Sequence, residues 1–308
     1  MNSIKTRLRH IIENVKQCGV TESICADIRD LLYSTGGVPG IAVTLNKGNV
    51  LHRTRMGRGY KSAKELTYRS ANANTKMMRA TLPGETAFYC CISDDAQLFD
   101  KVRMICLAEC SSLARAGKDS YGREQLTTSL WLLKDNIRVL SFITDETFLD
   151  NKDNKMLNMF REQYASTKSR LTSEQFSLIR LINEEFTKVV SEGNNEEYLL
   201  TANLVHDALY TLIDVTRKPF DAVVYPSVQT EGRWGLDMAL RPDVADKKLQ
   251  LMKVGVQTFY KNGEISLLAI DSVWDYNFHK IGGPQATEEE ICTQLNLKSV
   301  KQLPIVKH

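Results

Sequence analysis

The sequence predicts an α+β protein, and three observations predict it. Apolar residues recur at helical spacing through the first 34 residues. They do so again over most of the stretch from about Asp145 to Arg217. Before and after that second stretch, short apolar runs bounded by glycine, proline and asparagine turns read as strands. Segregated runs of strands and helices are the α+β pattern.

Taken in order, Ile4, Leu8, Ile11, Ile12 and Val15 mark one amphipathic helix. Ile24, Ile28, Leu31 and Leu32 mark a second after the break "CGVTES", so residues 1–34 read as a helical hairpin. "TGGVPG" interrupts the chain. "IAVTL" and "VLHRTR" read as short strands around a turn at "NKGN". Residues 56–78 are polar and poorly periodic, a loop, and "TAFYCCIS" is a strand after the turn "LPGE". "DKVRMICLAECSSLARAG" reads as one helix closed by Gly117. "SLWLLKD" and "IRVLSFI" are strands, and three helical segments follow. "FDAVVYPSV" is a strand, "LMKVGVQTFYKNGEISLLAIDSVW" a hairpin around Asn-Gly, and "ATEEEICTQLNL" a last short helix. The expected organisation is an N-terminal helical appendage over 1–36, a main domain over 37–275 with a helical insertion at about 145–217, and a C-terminal extension over 276–308.

Composition narrows the function classes. The 308 residues are 43% hydrophobic and 25% charged, as in an ordinary globular protein with a sizeable core. Forty basic against 37 acidic side chains leave a net charge of +3, which gives no ground for direct nucleic-acid binding. No run approaches the roughly 18 apolar residues of a membrane span. The N-terminus lacks the apolar run of a signal peptide, so a cytoplasmic protein is expected. Seven scattered cysteines include no C-x-x-C pair, and five histidines form no ligand-spaced cluster. The expectation is reduced thiols and no metal site.

Several residues are candidates for chemistry. Glu109 falls in the i, i+3, i+4, i+7 series from Val102 that carries Ile105, Cys106, Cys110 and Leu113. A carboxylate on an apolar face must be paired or line a cavity. A helix-edge ion pair and a catalytic acid facing a cleft both fit. Arg79 and Tyr89 lie on either side of the Pro83-Gly84 turn. A surface arginine with a core tyrosine fits them, as does a site holding an anion near a flat ring. Arg53 and Arg55 alternate along a strand and so share a face, either as a diphosphate clamp or as solvated edge charges. Ser227 ends an apolar strand, where turn-forming serines are common. His206 reads as a core or surface histidine. No G-x-S-x-G elbow or Walker phosphate loop occurs.

Together these pieces resemble the RES domain, a family named for its arginine, glutamate and serine and similar to the NAD-consuming toxins of bacterial RES–Xre toxin–antitoxin pairs. The resemblance spans roughly Val50 to Leu240. It begins at "LHRTR", continues through "ELTYRS", is strongest at "RATLPGETAFYCCIS", and resumes at "LAEC" and "FDAVVYPSVQTEGRWGLDMAL". Thr81 stands where the family pattern has Asn, and Asp237 where a second Asn is expected. The Tyr89-to-Glu109 spacing is longer than the family's, which brings Asp94, Asp95 and Asp100 into view as alternatives to Glu109.

The resemblance implies an ADP-ribosyltransferase-like split β-sheet core that takes NAD as substrate and needs no other cofactor. Arg53 and Arg79, with Arg55, would hold the pyrophosphate. Tyr89 would pack on the nicotinamide or its ribose, Glu109 would stabilise the oxocarbenium-like charge, and Ser227 would orient the ribose or Glu109. It implies cleavage of the nicotinamide–ribose bond by water or by inorganic phosphate, a toxin or defence role, an inhibitory Xre-type antitoxin, and a homodimer. A protein ADP-ribosyltransferase, and a catalytically inactive NAD-binding module marked by Thr81 and Asp237, are the alternatives on the same scaffold.

Overall fold

The computed structural model describes residues 2–34, 40–93, 99–147, 154–191, 193–211, 218–227 and 235–306. The two amphipathic stretches at the start fold as α1 (Asn2–Cys18) and α2 (Glu22–Tyr33). Thr21 opens α2, its hydroxyl accepting from the Ile24 amide at 3.3 Å. Strands β1 (Ile41–Leu45) and β2 (Val50–Met56) follow. A short helix, α3 (Ala63–Leu66), interrupts the expected loop before β3 (Phe88–Ser93). The single helix expected next is two, α4 (Phe99–Cys110) and α5 (Ser112–Arg115). Ser111 leaves helical geometry between them and caps α5, accepting from the Ala114 amide at 2.8 Å.

Strand β4 (Tyr121–Leu133) starts well before the apolar run that announced it, and β5 (Ile137–Ser141) follows. The insertion supplies α6 (Lys155–Thr167), α7 (Ser173–Phe186) and α8 (Leu199–His206). A reciprocal capping box between Thr172 and Gln175 opens α7. The chain continues through β6 (Ala222–Pro226), β7 (Leu236–Leu240), α9 (Pro242–Lys248), β8 (Leu249–Asn262) and β9 (Ile265–Asp275). It closes with β10 (Lys280–Gly282) and α10 (Glu288–Leu295). The α+β class therefore holds. Among the described residues, no helix is long and apolar enough to cross a membrane.

These elements fall into two compact units that interleave along the sequence. The first takes Met1–Lys47, Tyr68–Tyr89 and Asp135–Lys247. Within it, β5 pairs antiparallel with β1 and parallel with β6, and β6 pairs antiparallel with β7. Every residue of β6 and β7 is buried, which explains why β6 reads as a continuous apolar run. Helix α8 is buried on all sides, so it needs neighbours all round. The N-terminal hairpin is one of them. Ile28, Leu31 and Leu32 of α2 share one core with Leu178 and Ile182 of α7 and Leu204 of α8. Residues 1–34 are thus built into this core rather than appended to it, and so are α7 and α8 of the insertion.

The second unit takes Gly48–Thr67, Cys90–Lys134 and Lys248–His308. It is an antiparallel sheet in the order β3-β2-β4-β8-β9-β10. Helix α4 packs on β2, where the Cys106 thiol faces the His52 carbonyl at 3.5 Å and the Cys110 thiol faces that of Thr54 at 3.2 Å. The expected C-terminal extension belongs here, with Ile291 and Leu295 of α10 packed beside Tyr260 of β8. The predicted β8–β9 hairpin forms, but Asn262 and Ile265 are its last pair. The turn is therefore Gly263-Glu264, and Gly263 supplies the positive φ of 66° at its first central position. β1 and β2 do not pair as a hairpin, because β1 takes β5 as its partner and β2 takes β3 and β4.

Because the hairpin carries core residues, trimming it should unsettle the first unit. Leu31 is 0% exposed. Leu31→Ala should cost about 2–5 kcal/mol in chemical denaturation. A change below about 1 kcal/mol would mean the hairpin is a true appendage.

Candidate functional site

In the first unit, the segment from Asn74 to Tyr89 is a built turn. The Asn74 side-chain amide donates to Thr81 Oγ1 at 3.3 Å and to the carbonyls of Leu82 and Glu85, each at 3.1 Å. The Asn74 carbonyl accepts from the Gly84 amide at 2.7 Å, and Met78 and Thr81 exchange backbone bonds. The Glu85 carboxylate accepts from the Leu82 amide at 3.0 Å and pairs with His206 at the end of α8. Thr81 Oγ1 lies 3.0 Å from the Tyr89 hydroxyl. Thr81 therefore supplies a polar partner to Tyr89. The Tyr89 ring, half-buried, packs against the core of this unit.

Arg79 sits in the same turn with its guanidinium on the end of α7. Nη1 donates to the carbonyls of Phe186 at 2.7 Å and Glu185 at 3.4 Å, and Nη2 to that of Lys188 at 3.0 Å. The guanidinium also lies 5.0 Å from the Tyr198 ring centroid. The last carbonyls of a helix have no intrahelical donor, and a basic side chain there satisfies them. Phe186 in turn stacks on Tyr225 of β6 at 5.0 Å between ring centroids. Two residues beyond Tyr225 is Ser227, 0% exposed, its amide donating to the Gly235 carbonyl at 2.9 Å. Asp237 is buried on β7 opposite Tyr225. Arg79, Tyr89 and Ser227 thus belong to one unit and are tied through the Phe186–Tyr225 stack and the Thr81–Tyr89 contact.

The other candidates lie in the second unit. Arg53 and Arg55 do share a face of β2, and both reach the carbonyls around the end of α3. Arg53 Nε donates to Leu66 at 3.2 Å, while Arg55 donates to Glu65 and, at 3.4 Å, to Thr67. The Ser129 hydroxyl holds the Arg53 carbonyl at 3.1 Å. Glu109 departs from its expected position. Val102, Ile105 and Cys106 of its helical face are buried, but Glu109 itself is exposed in the last turn of α4. There the chain breaks at Ser111, and Arg115 folds back onto the carbonyls of Ala108 and Glu109. Burial pushes the Cys110 thiol up to about 12, with Arg53 and Arg115 opposing the rise and Glu109 adding to it. Arg53 and Glu109 therefore act with opposite sign on one thiol, whose charged form burial disfavours. Asp94 and Asp95 lie outside the described residues, as does the side chain of Asp100.

Sequence reasoning passed over Asn74, Glu85 and Asp207. Asp207, 2% exposed at the start of a π-helical turn, accepts from Arg29 Nε and the Tyr33 hydroxyl, each at 3.2 Å, and from Thr211 Oγ1 at 3.0 Å. The available signal was His206-Asp207 inside an otherwise apolar helical run, where charges must find partners. Asn74 offers no such signal, being one polar residue among many in its stretch. Among the described residues, no group of three or more His, Cys, Asp or Glu side chains is placed to hold a metal ion.

Two outcomes follow. Arg79→Lys, which lacks the planar fork, should lower the stability of the first unit by about 1–2 kcal/mol in denaturant titrations, and Arg79→Ala by about 1–3 kcal/mol. Unchanged stability in both would show that the α7 carbonyls do not depend on Arg79. The second concerns His52, whose imidazole is lowered from 6.5 to about 4, first by burial and then by the Arg103 cation. The unfolded chain takes up a proton that the folded chain refuses. Stability should therefore fall as pH drops from 6.5 towards about 4, by at most roughly 3 kcal/mol, and His52→Gln should flatten that slope.

Compared with known proteins, the chain matches no protein-family model and no curated protein.

Proposed function

We propose that the chain is an enzyme that destroys NAD by cleaving the bond between nicotinamide and ribose, on an ADP-ribosyltransferase-like core of the RES type. The observation that carries the reading is the position of Glu109. It is an exposed carboxylate at the end of a helix otherwise packed onto β2, with Arg53 acting on the same thiol beside it. A solvent-facing carboxylate on a helix that packs on the strand carrying Arg53 suits a substrate that joins a diphosphate to a sugar on which positive charge develops.

In this reading the C–N glycosidic bond breaks and its electron pair leaves on the nicotinamide nitrogen, giving neutral nicotinamide. The Glu109 carboxylate stabilises the oxocarbenium-like ribose. Water captures the sugar carbon and loses a proton to give ADP-ribose, or inorganic phosphate captures it to give ADP-ribose 1″-phosphate. Arg53 faces the diphosphate. The family resemblance assigns Arg55 and Arg79 to the diphosphate as well; Arg55 now holds the Thr67 carbonyl, and Arg79 those of Phe186 and Lys188. Tyr89, its hydroxyl fixed by Thr81, packs on the nicotinamide side, and Ser227 orients the ribose. NAD is the substrate, and no other cofactor takes part. An enzyme of this kind drains its own cytoplasm, so an Xre-type antitoxin that restrains it belongs to the same proposal, as does the toxin or defence role.

The test is NAD consumption by the purified chain with and without inorganic phosphate, products resolved by chromatography. Glu109→Gln should lower turnover by about 100-fold or more while NAD binding stays within a few-fold. A phosphate requirement would identify a phosphorylase. Intact NAD in every condition, or a fully active Glu109→Gln, would overturn the reading.

A further inference from the structure

The turn that carries Thr81 and Tyr89 is joined to the helical insertion by one titratable pair. The half-buried imidazole of His206, at the end of α8, meets the Glu85 carboxylate through Nδ1. The other Glu85 oxygen accepts from the Leu82 amide at 3.0 Å, and the Glu85 carbonyl accepts from Asn74 at 3.1 Å. Asn74 also donates to Thr81 Oγ1, and Thr81 meets the Tyr89 hydroxyl. A chain of contacts thus runs from His206 to the Glu85 carboxylate, across Glu85 to its main-chain carbonyl, and on through Asn74 and Thr81 to Tyr89, all inside the first unit.

We infer that His206 is a positioning residue: through Glu85 it holds the Leu82–Glu85 turn, and with it Tyr89, in the geometry the NAD-cleaving reaction uses. The effect on turnover rests on that functional reading, whereas the hold on the turn does not. The hydrogen bond to Glu85 raises the imidazole above its ordinary value, burial opposing. The other groups facing the pair are Arg29 and Cys25 of α2, Asp207 next to His206 with the Tyr33 hydroxyl on its carboxylate, and the Tyr210 ring at 5.5 Å from the His206 ring. Arg241 and Asp243 act on Tyr210 from the start of α9. Asp207 supports the protonated imidazole and Arg29 opposes it. A group whose folded value is raised stabilises the fold fully below its unfolded value and stops doing so as pH rises through the folded one. The turn is therefore held at and below the ordinary imidazole range and loosens above it.

The test uses the full chain as wild type, His206→Gln and Glu85→Gln, between about pH 6 and 9. Two quantities are read: the hydrogen-exchange protection of the Leu82 amide, and the KM and kcat for NAD. In the wild type, Leu82 protection should fall roughly tenfold and KM rise roughly tenfold as pH increases, with kcat changing less. In both variants protection should be low and KM high throughout, with the pH step gone. A His206→Gln chain that keeps wild-type Leu82 protection and its pH dependence would overturn the inference. If the wild type consumes no NAD at any pH, the enzymatic reading fails while Leu82 protection still decides the role of His206. Should His206→Gln fail to fold, Glu85→Gln carries the same comparison.

Discussion

Several basic side chains of this protein donate to backbone carbonyls at or near helix ends, and these contacts tie together elements within each unit. Arg79 holds the end of α7, Arg53 and Arg55 the end of α3, and Arg115 the end of α4. Lys261, buried on β8, serves the carbonyls of Leu113 and Ala116 around α5. Helix ends buried without donors are costly, because each lost bond leaves a desolvated oxygen. A guanidinium answers this with several donors in one plane, which a lysine does only one direction at a time. The same planar fork suits a diphosphate, so the residue types that hold these helices are also those an anion site needs.

The turn around Arg79 is bonded from two sides. Asn74 and Glu85 fix its backbone from inside, and Arg79 and His206 fix it to α7 and α8 from outside. Phe186 links the Arg79 contact to β6 through its stack on Tyr225, close to Ser227. The insertion helices are thus the support of the turn and of the strand end together. Precise placement of a few polar groups requires that their neighbours be locked by packing, and these helices supply the packing.

Buried ionisable groups show the same economy. Asp207 is almost fully enclosed, yet it takes hydrogen bonds from three side chains on two elements. Glu124 is 0% exposed, and it meets the Ser111 hydroxyl and the Leu113 amide at the break between α4 and α5. That break ends α4 just after Glu109, in the turn where its side chain is exposed. A buried carboxylate on the next strand, β4, thus meets the chain where the candidate catalytic helix stops.

Local pattern is what the linear order of residues makes legible. Helical spacing marked α1, α2 and α10, turn residues bounded β6 and the β8–β9 hairpin, and side-chain chemistry singled out Arg53, Arg79, Tyr89, Glu109 and Ser227. These readings depend on neighbours a few residues away, which a linear pattern carries. Partner choice across the chain emerges with the folded arrangement. β1 pairs with β5 and not with β2, the N-terminal hairpin enters the core of the insertion helices, and Glu109 lies exposed in the last turn of α4, just before the break at Ser111. His206 reads as one more helical residue until Glu85, 121 positions away, closes on it. Burial and hydrogen bonding act between side chains brought together by the fold, so their outcome is set by spatial neighbours that sequence spacing does not record.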